Sequence, residues 1–206
     1  MFTGIIQDVG KVIDLKKSGT DMQLTITSQG LEWSTVQLGD SIAVNGACLT
    51  VTDLLVNADN TGQFMADVSH ETLQKTTLSQ LAIGHAVNLE KALTLSTPLG
   101  GHLVSGHVDG IGQVRHINAD GDSTRYYFSA PNELLKFIAI KGSITIEGIS
   151  LTVNGVSAEG FDVTIISHTA DKTTIAALQP GDRVNLEIDL IARYIARMME
   201  FEKPTV

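Results

Sequence analysis

Hydrophobic and polar positions alternate over short runs along this chain, which is the pattern of β-strands rather than of long helices. Five such runs fall within the first hundred residues, and each is bounded by turn signals rich in Gly, Asn or Asp. About six short strands in a stretch of this length favour a closed barrel, because closure leaves no exposed edge. The five runs are MQLTITS (22–28), SIAVNG (41–46), CLTVTDLLV (48–56), QFMADVS (63–69) and AVNLEKAL (86–93).

Three segments have helical character instead. Residues 72–81 and 134–140 are predicted as short helices. In the tail, LIARYIARMMEF (190–201), apolar side chains recur at helical spacing and the charged side chains lie on the other side. This apolar stripe either covers a barrel or packs against the same helix of other subunits, and its evenness favours assembly.

The sequence also contains an internal repeat. Ser41–Val51 aligns with Ser143–Val153 at an offset of 102, with six of eleven residues identical, and Ser69–Thr77 aligns with Ser167–Thr174 further along. A repeat of this length indicates two homologous domains rather than a solenoid. The predicted fold class is all-β, with two homologous six-stranded Greek-key β-barrels and a C-terminal helix. The predicted boundaries are 1–97, 98–189 and 190–206, with a break at STPLGG (96–101).

Hairpin chemistry distinguishes the two copies. Asn45-Gly46 is a strong signal for a type I′ turn, whose two central residues need positive φ. The second copy has Glu147-Gly148, which keeps the glycine and loses the asparagine. We therefore expect the second turn to differ.

Composition and charge exclude several classes of protein. The 206 residues carry a net charge of −9 with no cluster of Lys and Arg, which argues against a nucleic-acid partner. The start, MFTGIIQDVG, lacks the basic region and long apolar run of a signal peptide, and no segment resembles a membrane span. A single cysteine forbids an internal disulfide and a thiolate metal cluster. We expect a soluble cytoplasmic protein that contacts neither nucleic acid nor membrane.

The two copies differ where chemistry is expected. Cys48 in NGACLTV aligns with Ser150 in EGISLTV, and each is followed two positions later by a threonine, Thr50 or Thr152. Residues i and i+2 of a strand share a face, so each copy aims a thiol or hydroxyl and a Thr hydroxyl in one direction. The functional interpretation is a pocket for a polar ligand. The alternatives are a buried small hydrophobe for the cysteine and a solvated strand face for the hydroxyls.

Histidines mark a second difference. His102 and His107 have a five-residue spacing that fits no common zinc pattern, so no metal site is expected. Glycines near His107 indicate that something approaches the backbone closely, and the first-copy counterpart of His107 is Ile5. Two similar pockets that use one kind of ligand in different roles would diverge in this way.

Other polar positions leave two interpretations open. The pairs Ser69-His70 and Ser167-His168 either line a pocket rim or form a turn before a helix. Asp189 stands where the first copy has Ala92, and it either caps the last helix or makes a catalytic contact.

Taken together, these motifs resemble the riboflavin synthase family of flavin biosynthesis. The resemblance covers essentially the whole chain and rests on MFTGI, NGACLTV, GGHLVSGHVDG, KGSITIEGISLTV and TTIAALQPGDRVNLEID in that order. It implies that two molecules of 6,7-dimethyl-8-ribityllumazine dismutate by four-carbon transfer to riboflavin and 5-amino-6-(D-ribitylamino)uracil, without cofactor or metal. It also implies a homotrimer held by C-terminal helices, with active sites between barrels of different subunits. In some organisms a lumazine synthase capsid encloses the enzyme, so lumazine synthase is a further implied partner.

The resemblance also implies site residues. The catalytic candidates are Cys48, as nucleophile or hydrogen-bond partner, His107 as a proton relay, Ser150 and Asp189. The first pocket would use Cys48, Leu49, Thr50, Asp67, Val68, Ser69, His70, Glu71, Thr72, Gly106, His107 and Val108, with Lys141 from another chain. The second would use Gly4, Ile5, Ile6, Ser150, Leu151, Thr152, Thr164, Ile165, Ile166, Ser167, His168 and Thr169, so the N-terminal segment and SGHV (105–108) would be exchanged between barrels.

One alternative belongs to another functional class. Lumazine proteins and related fluorescent proteins share the fold but only bind lumazine or flavin as optical antennae. They tend to lose the second-copy motif and the histidine. This chain keeps both GISLTV (148–153) and SGHV (105–108), which favours the enzyme.

Overall fold

The computed structural model describes residues 1–201, so residues 202–206 of the predicted C-terminal helix lie outside the described residues. Twelve strands and four α-helices account for most of the described chain. The first repeat contains β1 (Asp8–Ser18), β2 (Asp21–Ser28), β3 (Ser41–Val44), β4 (Ala47–Val56), β5 (Gly62–Val68), α1 (His70–Lys75) and β6 (Ala86–Lys91). The second contains β7 (Gly110–Asp120), β8 (Ser123–Ser129), α2 (Asn132–Leu135), β9 (Ser143–Ile146), β10 (Ile149–Val156), β11 (Gly160–Ile166), α3 (Ser167–Lys172), β12 (Arg183–Ile188) and finally α4 (Leu190–Phe201).

Each repeat closes into a six-stranded antiparallel barrel with the same strand order, which confirms the predicted fold class. The first barrel runs β1-β2-β5-β4-β3-β6, and the second repeats that order with β7 to β12. Register shifts fall at equivalent places, between Val12 and Asp14 in β1 and between Val114 and His116 in β7. Such bulges bend strands so that a small sheet can close. The sequence pattern missed β1, because only Gly10 and Val12 among its eleven residues are fully buried.

The barrel interiors are filled by the inward members of each alternating strand. Along β4, Leu49 and Val51 are buried whereas Cys48 and Thr50 face outward. The first interior also holds Trp33, whose ring packs against Gly62 so closely that a side chain there would collide with it. Full burial of a Leu or Ile side chain is worth about 1.5–3 kcal/mol, so this alternation stabilises the barrel and fixes which β4 side chains face outward.

The hairpin at Glu147-Gly148 adopts the same turn as Asn45-Gly46, so the expectation of a different turn was wrong. The φ values are 49° and 82° in the second copy and 45° and 81° in the first. The reason lies in the side chains: Asn45 Oδ1 accepts the backbone N–H of Asn88 at 2.7 Å, and Glu147 Oε1 accepts that of Asn185 at 2.6 Å. These bonds offset the strain of positive φ.

The two barrels dock through these hairpins and a reciprocal pair of asparagines. Asn88 Nδ2 donates to the Glu147 carbonyl, and Asn185 Nδ2 donates to the Asn45 carbonyl, both at 2.9 Å. Gly46 and Gly148 meet back to back, since a Cβ on either would lie 2.8 Å from the other's amide nitrogen. Burial raises the pKa of Glu147 to about 8. At pH 7 Glu147 is therefore mostly the uncharged acid, at the position equivalent to Asn45 of the first repeat.

The predicted helices are present with altered bounds. The segment 72–81 divides into the end of α1 and a 3-10 turn, Thr77–Gln80, while 134–140 contributes only the end of α2. Helix α4 occurs as predicted, but its apolar stripe does not cover the barrel. Arg193 holds the helix to its own barrel through a bidentate ion pair with Asp109, at 2.8 and 2.9 Å. Within residues 1–201 no helix has the length and apolar character needed to cross a membrane.

Candidate active sites

Two segments are exchanged between the barrels. Residues 1–6 cross to the second barrel, where the Ser150 amide donates to the Gly4 carbonyl at 2.8 Å. Residues 104–108 cross to the first, where the Cys48 amide donates to the Gly106 carbonyl, also at 2.8 Å. The segments pair with each other where they cross, through reciprocal hydrogen bonds between Phe2 and Val104. Each candidate site is therefore built from both repeats.

Two buried carboxylates clamp these segments, and sequence reasoning did not identify them as site residues. Glu90 accepts the amides of Thr3 and Gly4 and the Thr3 hydroxyl, at 2.7–3.0 Å. Glu187 accepts the equivalent three donors of Ser105 and Gly106, at 2.6–3.0 Å. Burial raises the pKa of both carboxyl groups, which the hydrogen bonds oppose. The sequence signal was the repeated VNLE, which ends in these two residues.

The first candidate site is a cavity of about 250 Å³ beside β4. It brings together six of the residues predicted for the first pocket, and Lys75 adds a cation that was not predicted. The backbone of SGHV forms one wall, so the close approach expected around His107 is present. The lining residues are Ala47, Cys48, Glu71, Thr72, Lys75, Thr76, Gly106, His107 and Val108.

The other residues predicted for the first pocket lie outside this cavity. Leu49 and Val68 point into the barrel core. Asp67 accepts a hydrogen bond from Gln23 at 3.2 Å and lines a separate cavity, while His70 pairs with Gln74. Ser69 caps α1 by accepting the Thr72 amide at 3.3 Å, which supports the turn interpretation for this serine. Thr50 is exposed on β4, and Lys141 is an exposed residue of the second repeat with φ of 66°.

The second candidate site lies beside β10 at the equivalent place. Its predicted residues come from three elements that the fold brings together, β10, β11 with α3, and the crossing N-terminal segment. Ile5 is 48% exposed, Ile6 packs on the second core, and Ile165 lies inside it. Leu151 also packs on that core, and Thr152 is exposed. Thr164, Ile166, Ser167, His168 and Thr169 continue along the end of β11 and into α3.

A histidine that was considered only for metal binding reaches this second site. His102 Nδ1 lies 2.7 Å from Ser150 Oγ, and Nε2 lies 3.2 Å from Thr145 Oγ1. The imidazole is buried, which lowers the pKa of His102, although the negative charge of Asp189 opposes that shift. Ser150 is also enclosed by two glycines, since a Cβ on Gly4 or Gly101 would lie 2.6 or 2.7 Å from its Cβ.

Cys48 has different surroundings. It packs on an apolar cluster of Phe2, Ala43 and Val104, and a Cβ on Gly106 would lie 2.7 Å from its own Cβ. The residue opposite Cys48 on β3 is Ala43, where the second barrel has Thr145. The thiol therefore faces an apolar wall on one side and the first-site cavity on the other.

Asp189 caps the last helix, as one of its two interpretations proposed. Its Oδ1 accepts the Ile191 amide at 2.9 Å and its carbonyl accepts the Arg193 amide at 3.2 Å. Its charge reaches the His102 ring, so it also influences the second site. In the described part of the chain, no three His, Cys, Asp or Glu side chains are grouped so that they could hold a metal ion.

Comparisons with known proteins agree with this two-barrel architecture. A family model described as "Lumazine binding domain" matches residues 3–92 and again residues 105–189. The structure of LumP complexed with 6,7-dimethyl-8-(1′-D-ribityl)lumazine superposes with a TM-score of 0.79 at 26% identity, covering 91% of this chain and 99% of that one. LumP complexed with riboflavin superposes equally well, at 25% identity. The chain is thus a protein of two lumazine-binding domains.

The similarity in sequence is greater to a group of enzymes. Riboflavin synthase of Brucella abortus is 44% identical over 203 residues, which cover 98% of this chain and 100% of that protein. Riboflavin synthase of Photobacterium phosphoreum is 42% identical over 204 residues, covering 99% and 91%. This chain belongs to the riboflavin synthase family, which confirms the resemblance seen in its motifs.

Proposed function

We propose that this protein is a transferase that converts two molecules of 6,7-dimethyl-8-ribityllumazine into riboflavin and 5-amino-6-(D-ribitylamino)uracil. The observation that carries the proposal is the pair of equivalent sites, each built by one barrel and a segment crossing from the other. A dismutation needs two places for one kind of molecule, used in different roles. Orientation of two bound reactants can remove roughly 7–11 kcal/mol of a barrier.

The site residues have distinct proposed roles. The reaction needs a proton to leave the C7 methyl of one lumazine and a nucleophile to add at C7 of the other. His107 lines the first cavity, where its imidazole is placed to accept or donate a proton. Cys48 and Ser150 offer a thiol and a hydroxyl at equivalent places, and Asp189 acts through the field it exerts on His102. No cofactor or metal has a role in this proposal.

Assembly as a homotrimer through α4 remains part of the proposal. Five apolar side chains of the helix are 53–66% exposed, Ile191, Tyr194, Ile195, Met198 and Met199. Such a surface on a charged protein indicates an interface. In the trimer, Lys141 of one subunit would complete the first site of another. Sedimentation of the purified protein should give three times the chain mass, and Ile195→Asp should lower the sedimenting mass to that of one chain.

Two further expectations stay predictions: that lumazine synthase is a partner, and that the protein is located in the cytoplasm.

The enzyme and antenna functions give opposite results in one experiment. The purified protein is incubated with the lumazine alone, and riboflavin is followed by its absorbance. We expect one riboflavin for every two lumazines consumed. His85→Ala, at an exposed position just before β6, serves as the control for His107→Ala. Spectral changes on binding without riboflavin would identify an antenna protein of the LumP kind and would refute the enzyme.

A further inference from the structure

The His102 imidazole bridges two hydroxyls that face each other on neighbouring strands. Ser150 on β10 pairs with Thr145 on β9, and the ring contacts both from outside the barrel. The His102 backbone is fixed as well, because its amide donates to the Thr3 carbonyl at 3.1 Å. With both ring nitrogens and the backbone engaged and the side chain buried, the orientation of the imidazole is set by the fold.

The first barrel has no such arrangement around Cys48. Ala43 stands in place of Thr145, and Phe2 and Val104 supply the covering surface. The second site therefore places a serine, a threonine and a histidine together, whereas the first places a thiol against Ala43, Phe2 and Val104. A change from thiol to hydroxyl alone would not produce this contrast.

The two distances indicate which way the hydrogen bonds run. A neutral imidazole has one N–H donor and one lone pair, so it donates to one hydroxyl and accepts from the other. Hydroxyl donors make shorter bonds to an oxygen acceptor, about 2.7–2.8 Å, than N–H donors do, about 2.9–3.0 Å, and we assign the same order of lengths to the nitrogen acceptor here. The 2.7 Å contact then fits the Ser150 hydroxyl donating to Nδ1, and the 3.2 Å contact fits Nε2–H donating to Thr145. Burial favours the neutral ring that this arrangement requires.

We infer that His102 is a positioning residue: its Nδ1 holds the Ser150 hydroxyl hydrogen, so that the Ser150 oxygen presents its lone pairs to the ligand of the second site. This inference rests on the proposed function for the identity of that ligand. An oxygen lone pair suits a hydrogen-bond donor or the electron-poor C7 of the lumazine ring. When His102 is protonated, both ring nitrogens become donors, and the Ser150 hydrogen must then turn toward the ligand instead.

The first test reads the tautomer directly and does not depend on turnover. Nitrogen NMR of the ¹⁵N-histidine-labelled full chain at pH 7 should show His102 protonated at Nε2 and unprotonated at Nδ1. Ser150→Ala removes the donor to Nδ1 and should shift that nitrogen's resonance, whereas His85→Ala should leave it unchanged. A ring protonated at Nδ1, or at both nitrogens, would overturn the inference even if the protein is a riboflavin synthase.

The second test uses two amides that imitate different ring nitrogens. The His102→Asn oxygen can reach the place of Nδ1, whereas His102→Gln places its amide near Nε2. We expect His102→Asn to keep turnover within about tenfold of the parent and His102→Gln to lose about 100-fold, in the range of a positioned proton-transfer group.

Turnover of the parent should fall as the pH drops through the lowered pKa of His102, and His102→Asn should lose that decline. Charge near the ring comes from Asp189, so Asp189→Asn should move the decline to lower pH.

These outcomes separate the two proposals. Equal losses in both amide variants with an unchanged pH profile, at melting temperatures equal to the parent's, would refute the role of His102. A parent protein that binds lumazine and forms no riboflavin would refute the proposed function, and the NMR tautomer would still decide the inference.

Discussion

The surroundings of Cys48 and Ser150 show how two copies of one fold come to differ. Strand order, bulges, hairpin geometry and the clamping carboxylates Glu90 and Glu187 are the same in both repeats. The residue at the equivalent site is a thiol against an apolar cluster in one copy and a hydroxyl bound by an imidazole in the other. Backbone and buried polar contacts preserve the scaffold, while a few outward side chains carry the chemical difference.

The largest expected effect comes from removing the polar group of either site. Ser150→Ala and His107→Ala should each lower turnover at least about 100-fold, because positioned proton-transfer and hydrogen-bonding groups contribute on that scale. Melting temperatures should change little, since neither side chain belongs to a barrel core. Initial rates of riboflavin formation measure the effect. Parent-like rates in both variants would contradict the assignment of the two sites.

The next effect tests the symmetry of the barrel interface. Burial raises the pKa of Glu147 to about 8, whereas an unfolded glutamic acid ionises near its model value of 4.5. Between pH 4.5 and about pH 8 the unfolded chain therefore binds fewer protons than the folded chain. The free energy of unfolding falls as the pH rises through this window and levels off once Glu147 is ionised in the folded state. The loss is on the order of a few kcal/mol.

Replacement by an uncharged isostere should remove the part of this pH dependence that Glu147 contributes, while the buried carboxyl groups of Glu90 and Glu187 keep theirs. Glu147→Gln should make the second repeat resemble the first, with Asn45, and should be more stable than the parent at pH 9 in urea unfolding. Glu133→Gln, at an exposed position, is the matched control and should show the parent's pH dependence. A Glu147→Gln protein as sensitive to alkaline pH as the parent would show that Glu147 is not the group responsible.

A third effect tests whether the crossing segments are equivalent. Gly4 and Gly106 have φ of 75° and 79°, and a Cβ on either would lie within 2.6–2.7 Å of Ser150 or Cys48. Gly4→Ala and Gly106→Ala should each cost about 2–3 kcal/mol of unfolding free energy through strain and overpacking. Gly19→Ala has a similar φ of 64° and open space around it, so it should cost about 1 kcal/mol. Thermal or urea unfolding gives the values, and costs equal to that of Gly19→Ala would argue against close packing at the sites.

The smallest effect concerns exchange of the two reactive groups. Cys48→Ser places a hydroxyl opposite Ala43, where the second barrel has Thr145 bound to the His102 imidazole, so it should change turnover less than about tenfold. Ser150→Cys puts a larger, weakly hydrogen-bonding sulfur between Gly4 and Gly101 and should cost more in turnover. Side-by-side rates of the two variants measure this asymmetry. A larger loss for Cys48→Ser would reverse the proposed contrast between the sites.

The fold could be predicted from the sequence more completely than the candidate sites could. Alternating runs and the internal repeat were enough for two barrels, because burial on one face of a strand leaves a periodic signal. The sequence pattern did not predict strand β1, because few of its side chains are buried. The conformation of the turn at Glu147 was not predicted, because the hydrogen bond that stabilises it, from the Asn185 amide to the Glu147 side chain, forms only in the tertiary structure.

The contribution of His102 could not be read from spacing along the chain. Its partners Ser150 and Thr145 lie more than 40 residues away, and its backbone is held by Thr3 of the crossing segment 1–6. Likewise, the family resemblance implied that Leu49 and Val68 line the first pocket, but both point into the core, where the period of a strand puts them. Sequence patterns identify which segments approach a site more readily than which atoms do.

The reciprocal crossing of residues 1–6 and 104–108 gives a single polypeptide the arrangement of a twofold-symmetric pair joined end to end. In a pair of identical chains, any substitution appears at both sites at once, so a cysteine and a serine could not occupy the equivalent places. Covalent fusion removes that restriction. It lets one half carry a serine, a threonine and a histidine while the other carries a thiol, so that a reaction between two identical molecules can take place in an asymmetric setting.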